Sequence, residues 1–157
     1  MPKDTADAKP KTAKSGSVHP DVANPISAMP VHAKPDPGKQ KPTDPGPVSR
    51  ENAEHYRWGT NCDAWFMVKD KHLTVIEEFM PPGAAEIRHY HEKAQQFFYI
   101  LAGEVMMEVE GQTMLIHAGS GVHVLPGRRH QIRNPSSSAA RFLVISQPPS
   151  RGDRVAK

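Results

Sequence analysis

Between Trp58 and Gln147 the chain consists of apolar bursts too short for helices, each closed by a turn signal. Trp65-Phe66-Met67-Val68 and Leu73-Thr74-Val75-Ile76 are aromatic or β-branched runs bounded by polar turns. The run from Phe97 to Leu101 stops at Gly103. Val105, Met107 and Val109 then alternate with polar residues as far as Glu110-Gly111, a tight hairpin signal. Met114-Leu115-Ile116, Val122-His123-Val124-Leu125 and Phe142-Leu143-Val144-Ile145 complete the series. Turn signals recurring every 8–12 residues or so describe an all-β sandwich or barrel. Outside this pattern, Arg50 to Arg57 reads as a short helix with Ser49 as its N-cap.

The first fifty residues cannot join that core. They hold ten of the sixteen prolines and no aromatic residue, and Val18, Val22, Ile26 and Val31 stand isolated among polar neighbours. Such a stretch buries too little surface to offset its ordering entropy, so the expectation is a disordered N-terminal extension over 1–50. A β-barrel over 51–150 and a C-terminal tail over 151–157 follow. The chain of 157 residues is then about one domain. Its formal charge is only +3. The lysines of the extension are spaced by Pro, Asp and Thr, with no aromatics for base stacking, which argues against a nucleic-acid arm. No apolar stretch reaches membrane-spanning length or resembles a secretion signal. With Cys62 as the single cysteine, no intrachain disulfide can form, and a reducing, cytoplasmic setting is the default expectation.

The chemistry concentrates in two patches. The first reads Gly83-x5-His89-x-His91-x4-Gln96-x6-Gly103 and the second Gly119-x5-Leu125-Pro126-Gly127-x2-His130-x3-Asn134. On a strand, residues two apart share a face, so His89 and His91 point together while Arg88 and Tyr90 point away. Two imidazoles so placed can grip one ion at about 2.1 Å each. Gln96 can return to that ion from a following segment, and His130 arrives from distant sequence. A lone His-x-His or Pro-Gly-x-x-His is a weak signal; their combination makes a site for one divalent metal ion held by His89, His91, Gln96 and His130.

In these residues the sequence resembles the cupin superfamily. Its motifs are Gly-x5-His-x-His-x3-4-Glu-x6-Gly and Gly-x5-Pro-x-Gly-x2-His-x3-Asn. The match runs from Gly83 to Asn134, and strands extend it to about Trp58–Gln147. The resemblance implies a small stand-alone cupin of the type-2, RmlC-like kind, a double-stranded β-helix or jelly-roll barrel with one metal inside. This chain departs from the pattern twice: Gln96 stands where the family has a ligand glutamate, and Leu125 where it has a proline. Gln95 is a rival ligand, because the shorter spacing is also allowed, but Gln96 keeps the gap to Gly103.

A shell with glutamine has no negative charge. It should hold metal less tightly yet leave a stronger Lewis acid towards an anionic or enolisable substrate. Fe, Ni, Mn, Zn and Cu all suit it. The expected function is a metal-dependent enzyme acting on a small oxygenated metabolite, either an isomerase or lyase on a sugar-derived acid or a dioxygenase. The alternative is a non-catalytic small-molecule-binding or sensing barrel.

Several other residues carry expectations. Glu77, Glu78 and Glu108 are available carboxylates without an assigned place. Arg128, Arg129 and Arg133 flank His130 and could draw an anion to the pocket mouth. His123 is a candidate to orient a ligand, although a half-buried strand histidine explains it as well. Phe98 and Ile100 share the parity of Gln96. Cys62, Met80, Met106, Met107 and Met114 read as core filler. Tyr90, Phe97 and Tyr99 should face outward, which favours a homodimer.

Overall fold

A computed structural model describes residues 46–156, so most of the extension expected over 1–50 lies outside the described residues. Eleven strands, and no helix among the described residues, make up the fold. They are β1 (Glu54–Trp58), β2 (Cys62–Lys69), β3 (Thr74–Met80), β4 (His89–His91), β5 (Gln95–Ala102) and β6 (Glu104–Val109). The remainder are β7 (Gln112–His117), β8 (Gly121–Val124), β9 (His130–Arg133), β10 (Ala140–Gln147) and β11 (Arg154–Ala156). One sheet runs β1-β2-β3-β10-β5-β8 and the other β11-β4-β9-β6-β7. Every pairing is antiparallel, and the two sheets form a double-stranded β-helix. No described helix is long and apolar enough to cross a membrane.

Strand alternation builds the core. From the first sheet, Ala64, Ile76, Met80, Phe98, Ile100, Phe142 and Val144 are buried. From the second, Val105, Met107, Ile116 and Ile132 meet them. Each large side chain contributes about 1.5–3 kcal/mol by leaving water. The β6–β7 hairpin closes at Glu110 and Gly111 with φ of 50° and 85°. Two successive positive φ values match the right-handed twist of the flanking strands, and glycine takes the second without strain. On β8, a Cβ at Gly121 would meet the Phe98 carbonyl and the Phe97 ring, at 2.4 and 2.7 Å. Glycine there lets the Phe97 ring lie across the neighbouring strand.

Three expectations are corrected. The short helix over Arg50–Arg57 does not form. Ser49 closes one turn, its carbonyl accepting from the Asn52 and Ala53 N–H groups at 3.2 and 2.8 Å. Its Oγ also accepts from Glu51 N–H at 3.3 Å. The chain then straightens into β1, because Glu54–Trp58 pairs residue for residue with Cys62–Phe66. The expected tail contributes β11, which pairs with β4. Met106 is half-buried rather than core: it pairs with exposed Leu115 and shares its parity, while Met107 beside it is fully buried.

Candidate metal centre

Strand β4 is only three residues long, and its pattern of burial puts His89 and His91 on the inner face with Tyr90 outside. The Pro126-Gly127 turn delivers His130 to the start of β9, in register with His89. His89, His91 and His130 are 3 %, 5 % and 1 % exposed. Each offers a ring nitrogen, and these atoms lie within 4.8 Å of one another. The Nε2 atoms of His89 and His91 stand 3.2 Å apart, and the His89 and His130 rings are 4.4 Å apart.

Hydrogen bonds prepare two of these rings to be ligands. Nδ1 of His89 donates to the Ile87 carbonyl at 2.9 Å, and Nδ1 of His130 donates to the Arg128 carbonyl at 2.9 Å. A carbonyl only accepts, so in both rings the proton sits on Nδ1 and the Nε2 lone pair is left free. His130 Nε2 is buried without a hydrogen-bond partner. Burial, joined by the charge of His130, holds the His89 pKa down at about 3. Burial also lowers His91 and His130. All three are therefore neutral near pH 7, the form that binds metal.

Gln96 enters from the facing sheet and is 6 % exposed. Its Nε2 donates to Ser146 Oγ at 3.1 Å, which orients the amide and leaves the buried Oε1 with no partner. A buried acceptor without a donor is costly. Converging lone pairs and an orphaned carbonyl oxygen are what a cation would satisfy, so the residues present fit a divalent ion. Gln95 takes a different part: its Nε2 donates to Gln147 Oε1 and its Oε1 pairs with His123 Nε2, both at 2.8 Å. This exposed chain of polar groups accounts for His123, which touches none of the three imidazoles.

Residues 76–146 match the family model described as Cupin domain. The barrel has the cupin fold. An oxalate-binding protein from Thermotoga maritima is 32 % identical over 66 residues, 42 % of this chain and 54 % of that protein. A polyketide synthase protein, CurC, from Streptomyces cyaneus is 29 % identical over 69 residues, 44 % of this chain and 45 % of that one. The chain spans about half the length of the curated relatives it matches. Among solved structures, an RmlC-like cupin from Shewanella frigidimarina superposes with a TM-score of 0.60. It shares 20 % identity and covers 65 % of this chain and 89 % of that one, a likeness of fold.

Within this barrel the carboxylates sort by strand parity. Glu77 faces outward and binds the Arg141 guanidinium at 2.7 Å. Glu108 pairs with Arg88 at 2.7 and 3.0 Å, also outside. Glu78 lies between Ile76 and Met80 on the inner face of β3. Burial, then Glu86, pushes its carboxyl well above the ordinary range. Glu86, which no sequence signal singled out, lies 3.7 Å from His89 Nδ1 and 3.4 Å from the Arg154 guanidinium. Burial raises it to about 7 against the opposing pull of Arg154. Tyr56 on β1 is raised by burial and by both glutamates. Of the three arginines around His130, Arg128 lines a cavity of about 330 Å³ together with Val109, the register partner of His130. Arg129 stacks over Tyr90 on the outside, and Arg133 is exposed at the end of β9.

Proposed function

We propose that this cupin binds one divalent metal ion through His89, His91, His130 and Gln96 and acts on a small oxygenated metabolite. An isomerase or lyase on a sugar-derived acid, or a dioxygenase, is the reaction class. The convergence of three buried imidazoles carries the reading. A bound divalent ion supplies Lewis acidity towards a substrate oxygen. The chain's own contribution is the neutrality of the donors: with no carboxylate in the set, positive charge is left over for an anionic ligand. The surrounding apolar core, with Phe98 5.9 Å from the His130 ring, keeps the local dielectric low and so strengthens that attraction. Arg128 beside Val109 adds a cation at the neighbouring cavity.

The identity to an oxalate-binding protein supports a small oxyanion as the ligand, and it also favours a second reading, a barrel that binds such an anion without turning it over. Elemental analysis and metal titration of the full chain test the site: wild type should take up one ion per chain, and His91→Ala should lose it. Oxygen-uptake and sugar-acid turnover screens on the loaded protein then separate the readings. Turnover supports the enzyme; tight binding of an oxyanion without turnover supports the second reading. We also propose that the chain forms a homodimer through the outer face of β5, where Phe97, Tyr99 and Leu101 are 37 %, 36 % and 37 % exposed.

A further inference from the structure

Strand β4 is weakly held for an element carrying two imidazoles. A single register pair, His89 with His130, joins it to β9. Its other edge pairs with β11 through Arg154–His91, Val155–Tyr90 and Ala156–His89. Just ahead of β11, Asp153 reaches across to the turn that connects β4 to β5. Its Oδ2 accepts from the Lys93 and Ala94 N–H groups at 2.9 and 2.8 Å. Its backbone carbonyl accepts from Glu92 N–H at 3.4 Å. The three residues Glu92, Lys93 and Ala94 are the entire turn between β4 and β5, and so they set the spacing between His91 and Gln96. On its other flank, the His91 carbonyl accepts from Gly127 N–H at 2.7 Å, in the turn that leads to His130.

We propose that Asp153 is a positioning residue for the metal centre. By clamping the Lys93-Ala94 turn with one carboxylate oxygen, it holds His91 and Gln96 at the separation one ion requires. Two N–H donors on an ionised acceptor form a stronger link than two neutral hydrogen bonds. The clamp also ties together residues 59 and 60 positions apart, so it anchors the turn to a segment distant in sequence. Asp153 lies beyond residues 76–146, the span that matches the family model, so this tether is a feature of the chain outside the matched domain. The inference rests on the metal-site reading above.

The test compares metal-free wild type, Asp153→Ala, Asp153→Asn and, as a control for general loosening, Ile116→Val at the far edge of the second sheet. Each is titrated with Co(II), read by its ligand-field absorption and by competition with a chelator. Hydrogen exchange is followed at the Lys93 and Ala94 amides. Asp153→Ala should bind cobalt about tenfold more weakly, as removal of a group that orients ligands does, and both amides should exchange faster. Asp153→Asn, whose amide oxygen still accepts, should recover most of the affinity, and Ile116→Val should keep it. Wild-type cobalt affinity in Asp153→Ala despite faster exchange would overturn the proposal, and so would equal losses in Asp153→Ala and Ile116→Val. Wild type that takes up no cobalt would instead sink the metal site itself, and this role with it.

Discussion

In the proposed centre Gln96 sets the charge. Its amide is buried and oriented by Ser146, and its Oε1 has no donor of its own. A glutamate at this position would keep the hydrogen bond, with the Ser146 hydroxyl now donating, and would bring a negative charge to a set of three neutral imidazoles. Gln96→Glu should therefore tighten divalent metal binding about tenfold, or about 1.4 kcal/mol. Competition titration against a chelator measures this; unchanged or weaker binding would count against Gln96 as a donor. At this scale the sequence was informative about the histidines, because their spacing within the two motifs is specific. Between Gln95 and Gln96 the spacing to Gly103 favoured Gln96. Their surroundings differ in the same direction: Gln96 is 6 % exposed, whereas Gln95 spends its amide on His123 and Gln147.

Elements decide which face a charge occupies. Glu77 and Glu78 are neighbours in sequence, yet one is neutralised by Arg141 outside and the other points into the barrel. Burial raises Glu78, and Glu86 adds to the effect. The folded state thus prefers the protonated carboxyl. Its stabilising contribution is complete below the ordinary carboxylate value of 4.5 and is lost as pH rises through the higher folded value. Glu86, at about 7, acts in the same direction. The lowered imidazoles act oppositely, so the informative quantity is a difference between variants. Urea unfolding of metal-free protein from pH 5 to about 8 should show Glu78→Gln gaining stability relative to wild type as pH rises. A gap that stays constant over this range would mean Glu78 titrates normally. Strands β2, β3, β5, β6, β7, β8 and β10 were legible as apolar bursts. Edge strands β1 and β11 were not, because Glu54–Trp58 offers only Tyr56 and Trp58, and Arg154–Ala156 only Val155 and Ala156, too short an apolar pattern to mark a strand before each pairs with β2 or β4.

For the whole molecule, the outer face of the six-stranded sheet carries a row of exposed apolar side chains on β5. Phe97 and Tyr99 stack at 6.3 Å on β5, and half-buried Leu143 and Ile145 flank them on β10. This row is the face through which the proposed homodimer would form. Sedimentation equilibrium should give twice the chain mass of 17.3 kDa, and Tyr99→Glu should shift the protein towards single chains. A wild-type mass of one chain would rule out the dimer. The period of the apolar residues and the two histidine motifs determined from sequence alone that this chain is a small β-barrel with a metal-type site, because strand alternation and ligand spacing are local properties. Only the tertiary structure decided that Glu78 points inward and Glu86 sits against His89. It alone brought Asp153 onto the turn between His91 and Gln96. Those placements depend on which strands become neighbours across the barrel, and pairing between distant segments leaves no periodic mark on either one.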